Sequence, residues 1–425
     1  MLRRALKLVL LLPAFMIWTS AAQAQVTTIT GETKGPAYYT ISVPDEWNGD
    51  LVIWNHGYDF AAPAPDPDLG PLADLQLSQG YAVAASSYRQ SQWAVFKTRK
   101  DISKLIRKFE KNFDKPNNII LTGASLGGIV TADAMERGDL ENVAGAFTIC
   151  GAMAGSRVWD GAHDARLTYD AICDDVPGAA IPGGATGLPR GVPGITPEAV
   201  AVAANACMGL LTPPEFQTPE QQARLGKFLS ATGLPANFII TDMVFATNGL
   251  SNLIFDWGKL RGRQGVGNIG VVYSDPDINA TIERVKANRK GAKKLKRNYT
   301  PQGELEDEIK VVSIHTDKDG LVIVENQKEY QDVVDSGQLS VGILVEDVPT
   351  HCGFSVAETA AGWESLRAWL GGAPQPDAAV LQGTCLAVAG GDPTQCRFDP
   401  SFVIPDMDGR IPARDNTRKQ RRNGN

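Results

Sequence analysis

The sequence predicts an α/β fold: a mostly parallel central sheet with helices on both faces, and a mainly helical cap inserted into it. Three observations carry this expectation. Short β-branched runs alternate with amphipathic stretches through residues 38–150 and again through 309–370. One run, Ile119-Ile120-Leu121-Thr122, enters Gly123-Ala124-Ser125-Leu126-Gly127-Gly128 and reads as strand, sharp turn, helix. From about Gly155 to Gly267 the alternation stops, and a glycine- and proline-rich span gives way to helical candidates only.

The chain opens on Arg3, Arg4 and Lys7, an apolar run from Leu8 to Trp18, and the small-residue site Ala22-Gln23-Ala24. This is the pattern of a secretory leader cleaved before Gln25, so residues 1–24 are read as a signal peptide and the protein as exported, periplasmic or secreted. The leader's apolar core is short for a bilayer and no other run approaches that length, so an integral membrane protein is not expected. Loss of the leader removes three basic residues and no acids, shifting the formal charge from −7 to about −10. Nucleic acid is therefore disfavoured as the main partner. The six cysteines in an exported chain suggest disulfides. Cys385 with Cys396 would close a short loop, and Cys173 with Cys207 would staple the insertion, which would leave Cys150 and Cys352. Spacing alone keeps the pairing open.

Tyr38–Val43 and Leu51–Trp54 read as strands around the turn-prone Pro44–Gly49. Tyr81–Tyr88 is alanine-rich, as a strand covered on both faces can be. Ile102, Leu105, Ile106, Phe109 and Phe113 recur at helical spacing between basic residues, a crossover helix leading into the strand before Ser125. Gly138 marks the end of the helix after Ser125, and Val143–Cys150 is the next strand. Helices are expected near Pro197–Leu211, Pro219–Ala231 and Ala236–Thr247, with Phe245, Leu250, Leu253, Ile254, Phe255 and Trp257 as cap core or pocket lining. Pro276–Tyr299 reads as one basic helix with a solvated face. Ile309–His315 and Leu339–Val345 are the last strands, and a helix bearing Trp363, Leu366 and Leu370 on one face follows.

A serine in so tight a turn needs small neighbours, which Gly123, Ala124, Gly127 and Gly128 supply. The turn lifts its hydroxyl clear of the sheet and aims the first N–H groups of the next helix at the space above it. The stretch resembles the nucleophile elbow of the α/β-hydrolase superfamily. His56-Gly57 at the end of an early strand resembles that superfamily's oxyanion loop. By position the resemblance implies Tyr58 and Leu126 as backbone N–H donors, with Gly57 as the alternative to Tyr58. The segment from His315 to Val322 resembles its acid loop, His-Gly-x-x-Asp-x-x-Val, with Thr316 in place of glycine. The match implies Asp319 as the acid, with Asp317 as runner-up.

The superfamily's chain order is nucleophile, acid, base. Of the four histidines, His56 precedes Ser125, and His163 and His315 precede Asp319, so only His351 satisfies the order. It also falls on the strand-to-helix loop where the resemblance places the base. The implied chemistry is Ser125-His351-Asp319 acyl transfer without metal or other cofactor. No His/Cys spacing suits a metal, and the acidic stretches Asp66-Pro67-Asp68 and Asp406–Asp408 fall short of a full calcium loop.

The expected organisation is a core in two parts, 25–154 and 268–372, flanking the cap at 155–267, with an extension at 373–425 whose basic end is disordered. The leading functional expectation is an exported serine hydrolase of small-molecule or polymeric carboxylic esters. A peptidase of the same fold and a catalytically silent binding protein are the alternatives.

Overall fold

The structure is a computed structural model that describes residues 25–137 and 140–414. The expected leader at 1–24, the helix stop at Gly138 and the basic end of the chain lie outside the described residues.

Eight strands form one sheet: β1 (Val26–Thr33), β2 (Ala37–Pro44), β3 (Leu51–Asn55), β4 (Ala82–Ser86), β5 (Ile119–Ala124), β6 (Val143–Ile149), β7 (Lys310–Thr316) and β8 (Leu339–Leu344). Their spatial order is β1-β2-β4-β3-β5-β6-β7-β8. β1 and β2 pair antiparallel, as do β2 and β4, and every pair from β4 through β8 is parallel. Parallel neighbours require crossovers: the helix Thr98–Asn112 leads from β4 to β5 and Leu126–Glu136 from β5 to β6, while Val356–Leu370 follows the last strand and packs back on the sheet. The first buries Ile102, Leu105, Ile106 and Phe109, four of the five positions its periodicity marked. On the opposite face Trp363 and Leu366 are buried against the sheet with Phe147 and Ile314. Each such fully buried side chain contributes roughly 1.5–3 kcal/mol through removal of apolar surface from water.

β5 lies between β3 and β6, so Ser125 stands at the carboxyl edge of the sheet's middle. The turn there admits no larger neighbours. A Cβ on Gly127 would lie 1.9 Å from the Asn55 carbonyl oxygen, and one on Gly123 would lie 2.3 Å from that of Gly127.

Between β6 and β7 the chain builds a helical layer. Val158–Cys173, Pro197–Met208, Pro219–Thr232 and Ile239–Val244 bury Leu167, Val200, Phe228 and Ile239 in a cluster of their own. The second and third begin with Thr196 and Thr218 as side-chain caps, each followed by proline at the first helical position. The helix Val158–Cys173 is absent from the sequence expectation because Asp160, His163 and Arg166 occupy buried positions and interrupt its apolar period. The expected single helix Pro276–Tyr299 is two, Pro276–Thr281 and Arg289–Arg297. Asn288 accepts from the Lys290 and Gly291 N–H groups and starts the second one afresh. Ile278, Ile282 and Val285 pack in the cap cluster, so the helical layer continues past Asn268. The run Ala236–Phe255 has the length and hydropathy to cross a membrane, yet more than half of it is buried in the fold.

β1 is likewise absent from the sequence expectation: Thr27, Thr28 and Thr30 weaken its alternation, and as an edge strand it buries little. Past Leu370 the chain remains ordered through Arg414. The helix Ala378–Val388 packs on Val356–Leu370, and Phe398 bridges to Leu344 of β8. The chain then returns to the cap. Arg157 there contacts Asp408 at 2.7 Å and Glu329 at 2.6 Å, and Arg414 reaches Asp164 at 2.7 Å.

Candidate active site

Ser125 occupies the turn between β5 and the helix Leu126–Glu136 with φ 54° and ψ −120°. A left-handed φ is strained for a non-glycine residue, and here hydrogen bonds from every side hold it. The Ser125 N–H donates to Ile149 O at 3.0 Å, and its carbonyl accepts from Gly128 N and Ala152 N at 3.0 and 3.1 Å. The hydroxyl is left to the cavity: Ser125 Oγ lies 2.9 Å from His351 Nε2.

His351 sits on the loop after β8. Its Nδ1 donates to Asp319 Oδ2 at 2.6 Å, while Asp319 Oδ1 accepts from the Leu321 and Val322 N–H groups, both at 2.9 Å. This backbone cradle fixes the carboxylate, and the carboxylate fixes which ring nitrogen carries the proton. Asp317 is engaged elsewhere: its Oδ1 accepts from Glu346 N at 2.8 Å. Two residues of spacing thus separate a carboxylate that ties strand ends from one that faces the imidazole.

The neighbouring disulfide tethers the same loop. Cys150 at the end of β6 bonds to Cys352, joining segments 202 residues apart. Closing a loop of that length removes on the order of 5 kcal/mol of denatured-chain entropy in the chain-entropy account. Cys173 pairs with Cys207 within the cap and Cys385 with Cys396 in the extension.

The other histidines have different surroundings. His56 stacks on Tyr88 at 4.1 Å, donates from Nδ1 to Gly57 O at 2.8 Å, and is held below its ordinary pKa by burial. It braces the loop that carries Gly57 and Tyr58. His163 is buried in the cap helix, where burial pushes its pKa down to about 4. His315 is buried beneath Asp319, with Nε2 donating to Val322 O at 2.6 Å and Nδ1 accepting from Gln327 Nε2 at 3.0 Å. Gln327 in turn accepts from Ser313 at 2.7 Å, so a buried polar chain supports the acid loop from below. No sequence signal pointed to Gln327, whose role depends on β7 lying beneath it.

For the expected oxyanion donors the geometry is as follows. Gly57 lies against the serine, and a Cβ on it would be 3.4 Å from Ser125 Cβ and 3.9 Å from Ser125 Oγ. Leu126 is the first residue of its helix, where N–H groups have no acceptor within the helix. The Tyr58 side chain turns into the cavity wall and its hydroxyl donates to Gln92 at 2.9 Å.

That cavity, about 340 Å³, is roofed by the cap and lined by Tyr58, Phe60, Trp93, Ile240, Phe245 and Leu321 around Ser125 and His351. No acidic or basic side chain other than His351 lines it among the described residues. Of the expected cap residues, Phe245 reaches the cavity, while Leu250, Leu253 and Ile254 are core and Trp257 lies at the surface. Phe245 begins the π-helical turn Phe245–Gly249, a distortion that often marks functional positions.

The acidic stretches considered for calcium are otherwise engaged. Asp408 flanks the Arg157 guanidinium, which is itself the cation of that cluster, and Asp68 accepts from Gly70 N at 2.7 Å. The nearby grouping of Cys150, His351 and Cys352 is the disulfide already described.

A buried carboxyl behind the site makes stability pH-dependent. Asp242, on Ile239–Val244, is pushed well above the usual carboxylate range, first by burial and then by the charge of Asp319, with Arg410 opposing. A raised folded pKa means the protonated form is preferred in the fold, so Asp242 weakens stability as pH climbs above about 4, the ordinary aspartate value. Asp242→Asn carries no such dependence. The melting-temperature advantage of Asp242→Asn over wild type should therefore widen between roughly pH 4 and pH 8. A difference that stays constant across that range contradicts this account.

Several solved structures are similar to the chain. An esterase of Pyrococcus furiosus is 13% identical, covering 83% of this chain and 92% of its own, with a TM-score of 0.38. Candida antarctica lipase A is 13% identical, with 94% and 85% covered and a TM-score of 0.40. A proline iminopeptidase of Mycobacterium smegmatis is 11% identical, with 86% and 100% covered and a TM-score of 0.37. No family model and no curated protein sequence matches the chain. An eight-stranded sheet in the order β1-β2-β4-β3-β5-β6-β7-β8 with β2 antiparallel, a serine on the strained turn after β5, and a helical layer inserted after β6 give this chain the α/β-hydrolase fold.

Proposed function

We propose that the protein is an exported serine hydrolase of carboxylic esters, with Ser125 as nucleophile, His351 as general base and acid, and Asp319 as the orienting acid. The observation that carries this reading is the unbroken hydrogen-bond chain Ser125 Oγ, His351, Asp319 opening onto an apolar cavity. In the first step Ser125 Oγ attacks the ester carbonyl while His351 Nε2 takes its proton. Negative charge gathers on the carbonyl oxygen, toward which the backbone N–H groups of Leu126 and of Tyr58 or Gly57 would donate. The alcohol departs with the proton from His351. Water then attacks the acyl-serine, His351 again relays the proton, and the carboxylic acid leaves.

The lining favours esters over peptides. An aminopeptidase needs a negative partner for the substrate's ammonium group, and no carboxylate lines this cavity among the described residues. A silent binding protein has no use for an intact nucleophile-base-acid chain. Three disulfides suit an oxidising compartment, in keeping with the expected leader.

A fluorophosphonate probe tests for the nucleophile, and turnover of 4-nitrophenyl butyrate beside alanine 4-nitroanilide tests for the substrate class. Labelling with preferential ester cleavage is the expected outcome. Faster anilide cleavage would indicate the peptidase, and a folded protein that neither labels nor turns over would be a binding module.

A further inference from the structure

The cavity above Ser125 shares a wall with a second concavity. Phe60 lines it and also borders an open groove of about 520 Å³, walled by Pro189, Arg190, Val192, Phe255 and Trp257. Aromatic rings connect the two. Trp159 packs on Phe245 at 5.0 Å, Phe245 on Tyr58 at 5.2 Å, and Tyr58 on Phe60 at 5.0 Å. Phe60, at the outer end of this run, is 50% exposed; Trp257, which also lines the groove, is 64% exposed, and the Arg190 guanidinium lies over its ring, 5.7 Å from the centroid.

The amide oxygens along the groove accept hydrogen bonds from the protein itself. Asn248 accepts from Ile195 N at 2.9 Å and donates to Ile195 O at 2.8 Å. Gln92 accepts from the Tyr58 hydroxyl at 2.9 Å, and Asn252 accepts from Lys259. A ligand entering the groove meets the rings of Phe60, Phe255 and Trp257 and the Arg190 guanidinium, with the Asp256 carboxylate, which accepts from Gly258 N, also in the lining. An alkyl chain would gain contact area but no ring stacking and nothing from the cation. An aromatic ring with a carbonyl oxygen uses both, stacking on Trp257 and accepting from Arg190.

We propose that the groove between Phe60 and Trp257 is a second subsite that binds an aromatic ring of the substrate, one bond chain removed from the ester carbonyl at Ser125. This deepens the hydrolase reading and rests on it: the substrate class is an aromatic ester with at least two rings, such as an aromatic oligoester. The chemistry at the scissile bond is unchanged, with water consumed and one acid and one alcohol released.

The test compares bis(benzoyloxyethyl) terephthalate, three rings joined through esters, with tributyrin, which has three esters and no ring. Trp257→Ala and Arg190→Ala are each expected to lower kcat/KM for the aromatic ester about tenfold relative to tributyrin, chiefly through KM. Val403→Ala, at an exposed site elsewhere, serves as the control. Equal losses on both esters, or no loss on either, overturn the subsite. A binding measurement separates its failure from that of the hydrolase reading. Titration calorimetry of the aromatic ester with Ser125→Ala should show binding that weakens about tenfold when Trp257→Ala is added. Absence of that weakening overturns the subsite even when wild type hydrolyses tributyrin. Its presence in a protein that hydrolyses neither ester upholds the subsite and overturns the hydrolase.

Discussion

Ser125→Ala is expected to lower kcat for 4-nitrophenyl butyrate by on the order of a millionfold, while thermal unfolding stays close to wild type. The size follows from the chemistry. Without Oγ there is no acyl-serine, and His351, deprived of the group it deprotonates, can at best activate water in the wrong place. The unchanged stability follows from the local structure. Ser125 caps the helix Leu126–Glu136 only by its backbone and makes no side-chain cap hydrogen bond, so alanine removes nothing the helix depends on. Both residues bear the same left-handed strain at φ 54°. Steady-state kinetics on the purified variant beside a melting curve decide the matter. Residual turnover within about tenfold of wild type would remove Ser125 from the mechanism.

Asp319→Asn should lower kcat by roughly ten-thousandfold, whereas Asp317→Asn should change it by less than about threefold. An asparagine at 319 can still accept from the Leu321 and Val322 N–H groups through its carbonyl oxygen, so the loop should keep its shape. Its NH₂ would then face His351 Nδ1, which must become an acceptor. The proton moves to Nε2, and the nitrogen facing Ser125 Oγ can no longer take one. At 317 the amide oxygen preserves the bond from Glu346 N and no imidazole is affected. The two variants measured side by side distinguish the candidates. A larger loss at 317 than at 319 would reverse the assignment.

The candidate site's geometry was legible in the chain where its parts are written in short, local patterns. The elbow needs small residues within two positions of Ser125, and Gly127 shows why, since any side chain there would strike the Asn55 carbonyl. His351 is the one histidine downstream of Asp319, and it also falls on the loop between the last strand and the helix after it. Local patterns served less well in the cap. Val158–Cys173 was overlooked because its inward face carries Arg166, whose charge is satisfied by Asp170, Thr247 and the Pro182 carbonyl, partners a sequence does not display. The split of Pro276–Tyr299 turned on one capping asparagine in a run of helix formers.

By itself the sequence determined the α/β architecture and the serine turn, since each depends on residues a few positions apart, and it set the chain order Ser125, Asp319, His351. Tertiary structure alone decided that Asp319 rather than Asp317 faces the imidazole, which cysteines pair, and that Phe60 lines both the cavity and a groove containing Trp257. The physical reason is one of separation: turns, caps and periodicity act over one or two turns of chain. Cavities and buried partners arise where segments hundreds of residues apart are packed together, and no local pattern records which side chains will meet there.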